Sequence, residues 1–303
     1  MGTIYMKRAV ITGPTGSIGI ALINELEANG IEVVAVVRPG SKRADRIKES
    51  SLVKCVKCDL SKLDKLPELI PDGADVFYHF GWDGTFGDSR NNMKGQNLNV
   101  KYALDAVEAA SKLGCKTFVG AGSQAEYGRF EGKLNGSTPT FPENGYGIAK
   151  LCAGQMTRIM CQQKGIKHIW TRILSIYGPY DGEKTMVMST IDRLLKGEVP
   201  SCTKGEQMWD FLYSKDAALA MRLLGEKGID GKIYCIGSGQ ARPLKEYINI
   251  MGESIDSTIQ IGFGDIPYSP NQVMYLCAGK VERLIENRME QTVFNPAQMK
   301  ILQ

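Results

Sequence analysis

Residues 8–30 read RAVITGPTGSIGIALINELEANG: a short apolar run, a glycine-rich turn and an amphipathic helix. Gly13, Gly16 and Gly19 space the turn as G-x-x-G-x-x-G. Glycine lets the backbone bend sharply and approach a ligand closely, while a helix beginning there aims free N–H groups and positive dipole at the turn. A strand, this turn and a helix, in that order, predict the phosphate cradle of a dinucleotide-binding βαβ unit. Thr15, Ser17 and Ile18 fall inside the same turn and are expected to bind the cofactor with the three glycines.

The alternation continues downstream. Strands are expected at 32–37, 53–58, 75–80, 116–120 and 168–174, and helices at 17–28, 92–113 and 146–164, with a weaker one near 61–69. VFYHF (76–80) and TFVGAG (117–122) are almost continuously apolar, as strands buried on both faces are. The fold class is therefore α/β, a Rossmann-type doubly wound parallel sheet with a smaller C-terminal substrate-binding lobe. After Tyr177 the texture changes, and the Pro/Gly turn YGPYDGEK (177–184) separates the halves. We read 1–177 as the dinucleotide-binding domain and 178–303 as mainly the substrate-binding lobe, with segments near 205–237 returning to the sheet. In that half, helices are expected at 186–196, 215–226 and 244–254 and a strand at 232–237.

Composition excludes several classes. The net charge of +4 is small and the basic residues are dispersed, so bulk nucleic-acid binding has no support. No apolar run approaches the roughly 20 residues that cross a bilayer, and the chain begins directly on a strand, so a cytoplasmic enzyme without a membrane partner is expected. Eight cysteines without a secretion signal read as reduced thiols rather than a disulfide framework. Cys55 and Cys58 alternate faces on a strand and only two histidines exist, His79 and His168, so no metal site is expected.

The second strand bears on the choice of dinucleotide. Where NAD-preferring sites carry a carboxylate for the ribose, EVVAVVRPGSKR (32–43) ends in Arg38, with Lys42 and Arg43 behind it. A guanidinium binds a 2′-phosphate bidentately, which favours NADP(H) over NAD(H). Asp59 and Leu60 follow the third strand; Asp59 is placed either to bond the adenine amino group or to cap SKLDKLPEL (61–69).

Y-x-x-x-K occurs twice, at Tyr146–Lys150 and Tyr180–Lys184. A proton-exchanging pair must share one helical face one turn apart. Pro179 and Gly182 break any helix through Tyr180, whereas Tyr146 opens GYGIAKLCAGQMTRIMCQQ (145–163) and follows a strand ending near Ser123. Tyr146, Lys150 and Ser123 are the expected catalytic residues. A free tyrosine, with a pKa of about 10, is too weak a base at neutral pH unless a cation such as the Lys150 ammonium stabilises its phenolate.

TGxxGxxG, Ser123 followed by EYG, YxxxK and RILSIYGP (172–179) together resemble an extended short-chain dehydrogenase/reductase, and more narrowly the nucleotide-sugar epimerases, dehydratases and 4-ketoreductases. WDFLYSKDAALA (209–220) and KIYCIGSG (232–239) extend the likeness to roughly residues 8–240. The resemblance implies that Tyr146 exchanges a proton with the sugar oxygen, that Ser123 bonds the same oxygen, and that Lys150 also holds the nicotinamide ribose. It implies a homodimer through the helices at 92–113 and 146–164, whose apolar positions could equally be buried on the sheet. It further implies substrate contacts at Trp82, Ser123, Gln124, Arg172 and Trp209, where core roles for Trp82 and Trp209 stand as alternatives. Ser175 stands where the family often has Asn, and Trp209 where it usually has a basic residue.

Family dehydratases carry an Asp–Glu pair after the catalytic Ser/Thr; here Gln124 and Ala125 stand there, and neither exchanges a proton. Reduction of a 4-keto sugar nucleotide with NADPH is the favoured reaction. A C4 epimerase that retains its cofactor is the alternative, ahead of a dehydrogenase on a small hydroxylated substrate and a non-catalytic NADP(H) sensor. From about Lys280 the sequence departs from the family pattern.

Overall fold

The computed structural model describes residues 5–269 and 273–279. The glycine-rich turn joins strand β1 (Arg8–Thr12) to helix α1 (Ser17–Ala28), and β2 (Glu32–Val37) and β3 (Val53–Lys57) follow on one side of β1. The chain then crosses over through α2 (Leu66–Leu69) to β4 (Val76–His79) on the other side. Helix α3 (Met93–Lys112), β5 (Thr117–Ser123), α4 (Gly145–Lys164) and β6 (Lys167–Ile173) extend that side. The finished seven-stranded sheet has the order β10-β6-β5-β4-β1-β2-β3, with β10 (Ile233–Ile236), and every pairing is parallel. This is the doubly wound sheet expected from the sequence, and its strand order reverses between β1 and β4. Such a switch point leaves a crevice at the C-terminal strand ends.

Period-two alternation sorts the strands' apolar residues between two cores. Ala9, Ile11, Val33, Ala35 and Tyr78 pack with Leu22 and Leu26 of α1 and with Met221 and Leu224 of α6 (Ser214–Lys227). Val10, Val34, Val36, Phe77 and Phe118 face the other way, towards Ala106, Val107 and Ala110 of α3. The region near 61–69 is a 3-10 turn (Leu60–Lys65) followed by the one-turn α2, not one helix; Pro67 stands at the start of α2, where it removes a backbone donor.

The second half builds a smaller lobe. Helices α5 (Met186–Leu195) and α7 (Leu244–Ile255) enclose Tyr177, Val187, Ile191, Tyr213, Tyr247 and Met251. Of the stretch 205–237, β10 joins the large sheet and α6 packs on α1, whereas two short strands do not return to it. Those strands, β8 (Met208–Trp209) and β9 (Phe211–Tyr213), pair instead with β11 (Arg242–Pro243) and with β7 (Ser175–Tyr177). The departure noted from Lys280 onward lies outside the described residues. Cys55 is half-buried, Cys58 is buried, and no group of three metal-ligating side chains occurs among the described residues. No helix among the described residues is long and apolar enough to cross a membrane.

Trp170 of β6 is 2% exposed and occupies a space made by three glycines. A Cβ on Gly120 or Gly122 of β5 would collide with its indole, and one on Gly154 of α4 would come within 2.7 Å of it. Gly122→Ala is therefore expected to destabilise the fold by about 1–3 kcal/mol, as overpacked cores do, read as a lowered urea midpoint. An unchanged midpoint would contradict this packing.

Candidate active site

Two cavities sharing Gly13 and Trp82 open at the C-terminal edge of the sheet. The larger, about 720 Å³, runs from Gly16 and Ser17 past Ser123, Tyr146 and Lys150 to Gln207 and Trp209 of the lobe. The smaller, about 120 Å³, is lined by Thr15, Arg38, Ser41, Arg43, Asp59 and Leu60. Gly16, Ser17, Ile18 and Gly19 line the first, Thr15 the second and Gly13 both.

The walls fit a dinucleotide. A Cβ on Gly13, whose φ is +68°, would lie 2.7 Å from the Gly81 nitrogen, and one on Gly19 would lie 2.6 Å from the Pro14 carbonyl oxygen. Around Gly16 there is open space, so a ligand can reach the backbone. No side chain caps α1 at Gly16 and no acidic residue occupies its first turn, leaving the helix dipole for an anion. Ser17 Oγ, Gln124 Oε1 and Gln207 Oε1 are buried polar atoms without a hydrogen-bond partner among the described residues, all on residues lining the larger cavity. Such atoms cost about 1–3 kcal/mol each when left unpaired, and a polar ligand would satisfy them.

Local sequence explains how Tyr146 reaches the strand ends. Asn144 caps α4 by accepting from Gly147 N at 2.9 Å, and Asn91 Oδ1 accepts from Gly145 N at 2.9 Å. The glycines on either side of Tyr146 allow close approach: a Cβ on Gly147 would collide with the Ala125 carbonyl, and one on Gly145 would lie 2.9 Å from the Arg90 carbonyl. One turn on, Lys150 is 4% exposed; its Nζ donates to Ala121 O at 2.6 Å and stands 3.8 Å from the Trp82 ring centroid. β5 extends to Ser123, whose Oγ accepts from Ala125 N at 3.2 Å and which lines the cavity with Tyr146. Tyr180 has φ +64° and lies outside any helix, so the duplicate Y-x-x-x-K forms no pair on a helical face.

Several charges in or beside this space are shifted. Burial pulls the Lys150 ammonium down to about 7, against the pull of Glu126. Burial raises the Tyr146 phenol, while the Ser123 hydrogen bond and the Arg90 charge act to lower it. Asp181 is raised by burial; its carboxylate accepts from Gly182 N at 2.7 Å and Thr185 Oγ1 at 3.0 Å.

Trp82 and Gln124 line the larger cavity, as does Trp209, whose Nε1 donates to Ser175 Oγ at 2.8 Å. Asp59 caps the turn that follows it, accepting from Ser61 N at 2.9 Å and Ser61 Oγ at 2.7 Å, and also borders the smaller cavity. Arg172 is placed differently. Its side chain is 3% exposed, its Nε donates to Glu126 Oε2 at 2.8 Å, and it does not line the larger cavity. The paired carboxylate holds the guanidinium inside the protein, away from that cavity.

Sequence reading missed Glu126, Arg90, Arg46 and Gln207. Glu126 is fully buried and accepts from Ser123 N at 2.8 Å as well as from Trp170 and Arg172. The S-x-x-E spacing of a capping box could have revealed it, because Ser123 and Glu126 form one. Arg46 Nη1 reaches Thr15 O at 3.3 Å and Tyr180 O at 3.5 Å, tying the glycine-rich turn to the 177–184 turn. No local pattern announces a link between segments so distant.

A model of the NAD dependent epimerase/dehydratase family matches residues 9–237. The chain belongs to that family. It is 26% identical over 262 residues to the trifunctional UDP-glucose 4,6-dehydratase/UDP-4-keto-6-deoxy-D-glucose 3,5-epimerase/UDP-4-keto-L-rhamnose-reductase RHM1 of Arabidopsis thaliana, covering 81% of this chain and 39% of that one. Thus the chain spans about two fifths of that relative's length. It is 28% identical over 245 residues to the dTDP-6-deoxy-L-talose 4-dehydrogenase (NAD(+)) of Aggregatibacter actinomycetemcomitans, covering 78% of this chain and 86% of that enzyme. Its fold matches the UDP-glucose 4-epimerase of Thermus thermophilus, solved in complex with NAD, with a TM-score of 0.82, 19% identity and 97% of each chain covered.

The burial of Lys150 has a measurable consequence. Its pKa is about 7 in the folded chain against an ordinary 10.5, so the unfolded chain binds more protons between those values. This group's contribution to stability therefore rises with pH through that window, by up to about 1.4 kcal/mol per pH unit. Lys150→Met is expected to flatten that part of the slope in urea unfolding between pH 7 and pH 9. Equal slopes for variant and wild type would refute the desolvated ammonium.

Proposed function

We propose that this protein reduces the 4-keto group of a nucleotide-diphosphate sugar with NADPH, Tyr146 acting as proton donor. The observation carrying this reading is the convergence of Ser123, Tyr146 and Lys150 on one cavity that also holds the glycine-rich turn. When bound, the cofactor supplies the hydride that adds to the carbonyl carbon. Tyr146 gives its phenolic proton to the carbonyl oxygen as charge develops there, and Ser123 donates a hydrogen bond to the same oxygen. Lys150 stabilises the phenolate left behind and is placed to hold the nicotinamide ribose.

Arg38 and Arg43 border the smaller cavity, where a 2′-phosphate would meet two guanidinium groups rather than a carboxylate. Asp59 borders it too, but its Oδ1 is engaged with Ser61. Dehydration is disfavoured because the turn after Ser123 carries Gln124 and Ala125, and Asp181 is the one carboxylate among the residues lining the larger cavity. Asp181 is already engaged by Gly182 and Thr185. The nucleotide end of the substrate would lie towards Gln207 and Trp209, where Gln207 Oε1 lacks a partner.

A C4 epimerase is the second reading, favoured by the Arg46 link. It fastens the 177–184 turn to the glycine-rich turn, an arrangement suited to a cofactor retained between turnovers. We further assign a homodimer through the outer faces of α3 and α4, which expose Leu98, Ile148, Met156 and Ile159; sedimentation at twice the monomer mass is expected, and a monomer at micromolar concentration would reject it.

Incubation with NADPH or NADH and a panel of 4-keto-6-deoxy sugar nucleotides tests the reaction. Stoichiometric loss of NADPH absorbance with a reduced sugar is expected; isomerisation without net cofactor loss would replace reduction by epimerisation. Tyr146→Phe is expected to lower kcat by about 10²–10⁴-fold. Arg38→Asp is expected to shift preference towards NADH, and an unchanged ratio would overturn the 2′-phosphate assignment.

A further inference from the structure

Arg90 lies in the short turn Gly87–Asn91 between β4 and α3, outside every motif read from the sequence. Its guanidinium carbon stands 4.8 Å from the centroid of the Tyr146 ring. Lys150 Nζ is further away, at 5.8 Å, and is already engaged with Ala121 O and the Trp82 ring. Contacts of its turn with the start of α4 hold Arg90 in place. Asn91 Oδ1 accepts from Gly145 N, and the Arg90 carbonyl lies so close to Gly145 that a Cβ there would approach to 2.9 Å. Turn 87–91 and the start of α4 therefore fit together, with the guanidinium laid against the phenol. Among the described residues no carboxylate forms an ion pair with Arg90, so its charge is not committed elsewhere.

We propose that Arg90 is a second cation acting on Tyr146, a positioning residue that holds the ring and favours its ionised form. This rests on the proposed role of Tyr146 in proton exchange. The two cations differ in kind. A guanidinium stays charged throughout the working pH range, whereas burial draws the Lys150 ammonium towards neutrality. Arg90 thus adds a second cation beside the ring. A cation against a ring face also restrains its orientation. The other charged groups near the phenol are Lys150 on the same helix and Glu126 on the turn after β5, while Asp181 lies on the wall of the same cavity. Glu126 opposes ionisation, and the Ser123 hydrogen bond supports it.

Removing the Arg90 charge makes the phenolate less favourable and raises the pH at which Tyr146 ionises. The test is the ultraviolet phenolate titration of Tyr146, taken as wild type minus Tyr146→Phe, with saturating NADP⁺ present. Arg90→Met in the same difference titration is expected to move the midpoint up by about one to two pH units. Arg90→Lys keeps the charge and is expected to move it by less than half as much. In the reductive direction the phenol must be protonated, so the falling alkaline limb of kcat should move up by the same interval. An Arg90→Met midpoint equal to wild type would overturn the proposal; Arg90→Gln provides the same comparison should Arg90→Met fail to fold. The titration needs no sugar, so absence of turnover with the sugar panel would count against the reduction and leave this test standing.

Discussion

The start of α4 has to approach the C-terminal end of β5 closely, and most of the site's arrangement depends on that contact. Glycine at 145 and 147 removes the side chains that would otherwise meet the Arg90 and Ala125 carbonyls. Glycine at 122 and 154 makes room for Trp170, whose indole donates to Glu126. Glu126 in turn accepts from Ser123 N and Arg172, so the turn carrying Ser123 is fixed from behind by buried hydrogen bonds. Lys150 closes the contact by donating to Ala121 O. A buried carboxylate without Arg172 would be an unpaired charge, so the ion pair is tied to the packing that surrounds it.

Burial at this contact also sets its electrostatics. Desolvation opposes both the ammonium of Lys150 and the phenolate of Tyr146. Each group then depends on its neighbours: Glu126 favours charge on Lys150, while Ser123 and Arg90 favour it on Tyr146. Keeping a lysine in such surroundings costs stability at neutral pH, a strain that is typical of functional sites. The paired Arg172 serves the architecture, whereas the unpaired acceptors of Gln124 and Gln207 are left facing a cavity.

Much of this was legible from residue order. Glycines at fixed offsets after an apolar run specify the turn between β1 and α1, and alternating strand and helix periods specify the parallel sheet. Tyr146 could be separated from Tyr180 because proline and glycine forbid a helix at the latter, and the structure gives Tyr180 a positive φ. What was not legible shares a physical cause. Arg172 and Glu126 are 46 residues apart and meet through the β5–β6 register, so their ion pair leaves no local pattern. Arg46 meets Thr15 and Tyr180, and Arg90 meets Tyr146, through contacts between distant segments. The lobe's short strands were hard to see because two- and three-residue pairings leave no periodic pattern.

In the proposed reaction, hydride reaches the sugar carbonyl within this cavity while Tyr146 supplies the proton. Its most direct measurement uses NADPH carrying deuterium on the transferred C4 position of the nicotinamide, with mass spectrometry of the sugar product. One deuterium bound to the former carbonyl carbon, formed by wild type and strongly reduced in Tyr146→Phe, is the predicted result. An unlabelled product, or full label incorporation by Tyr146→Phe, would contradict the account.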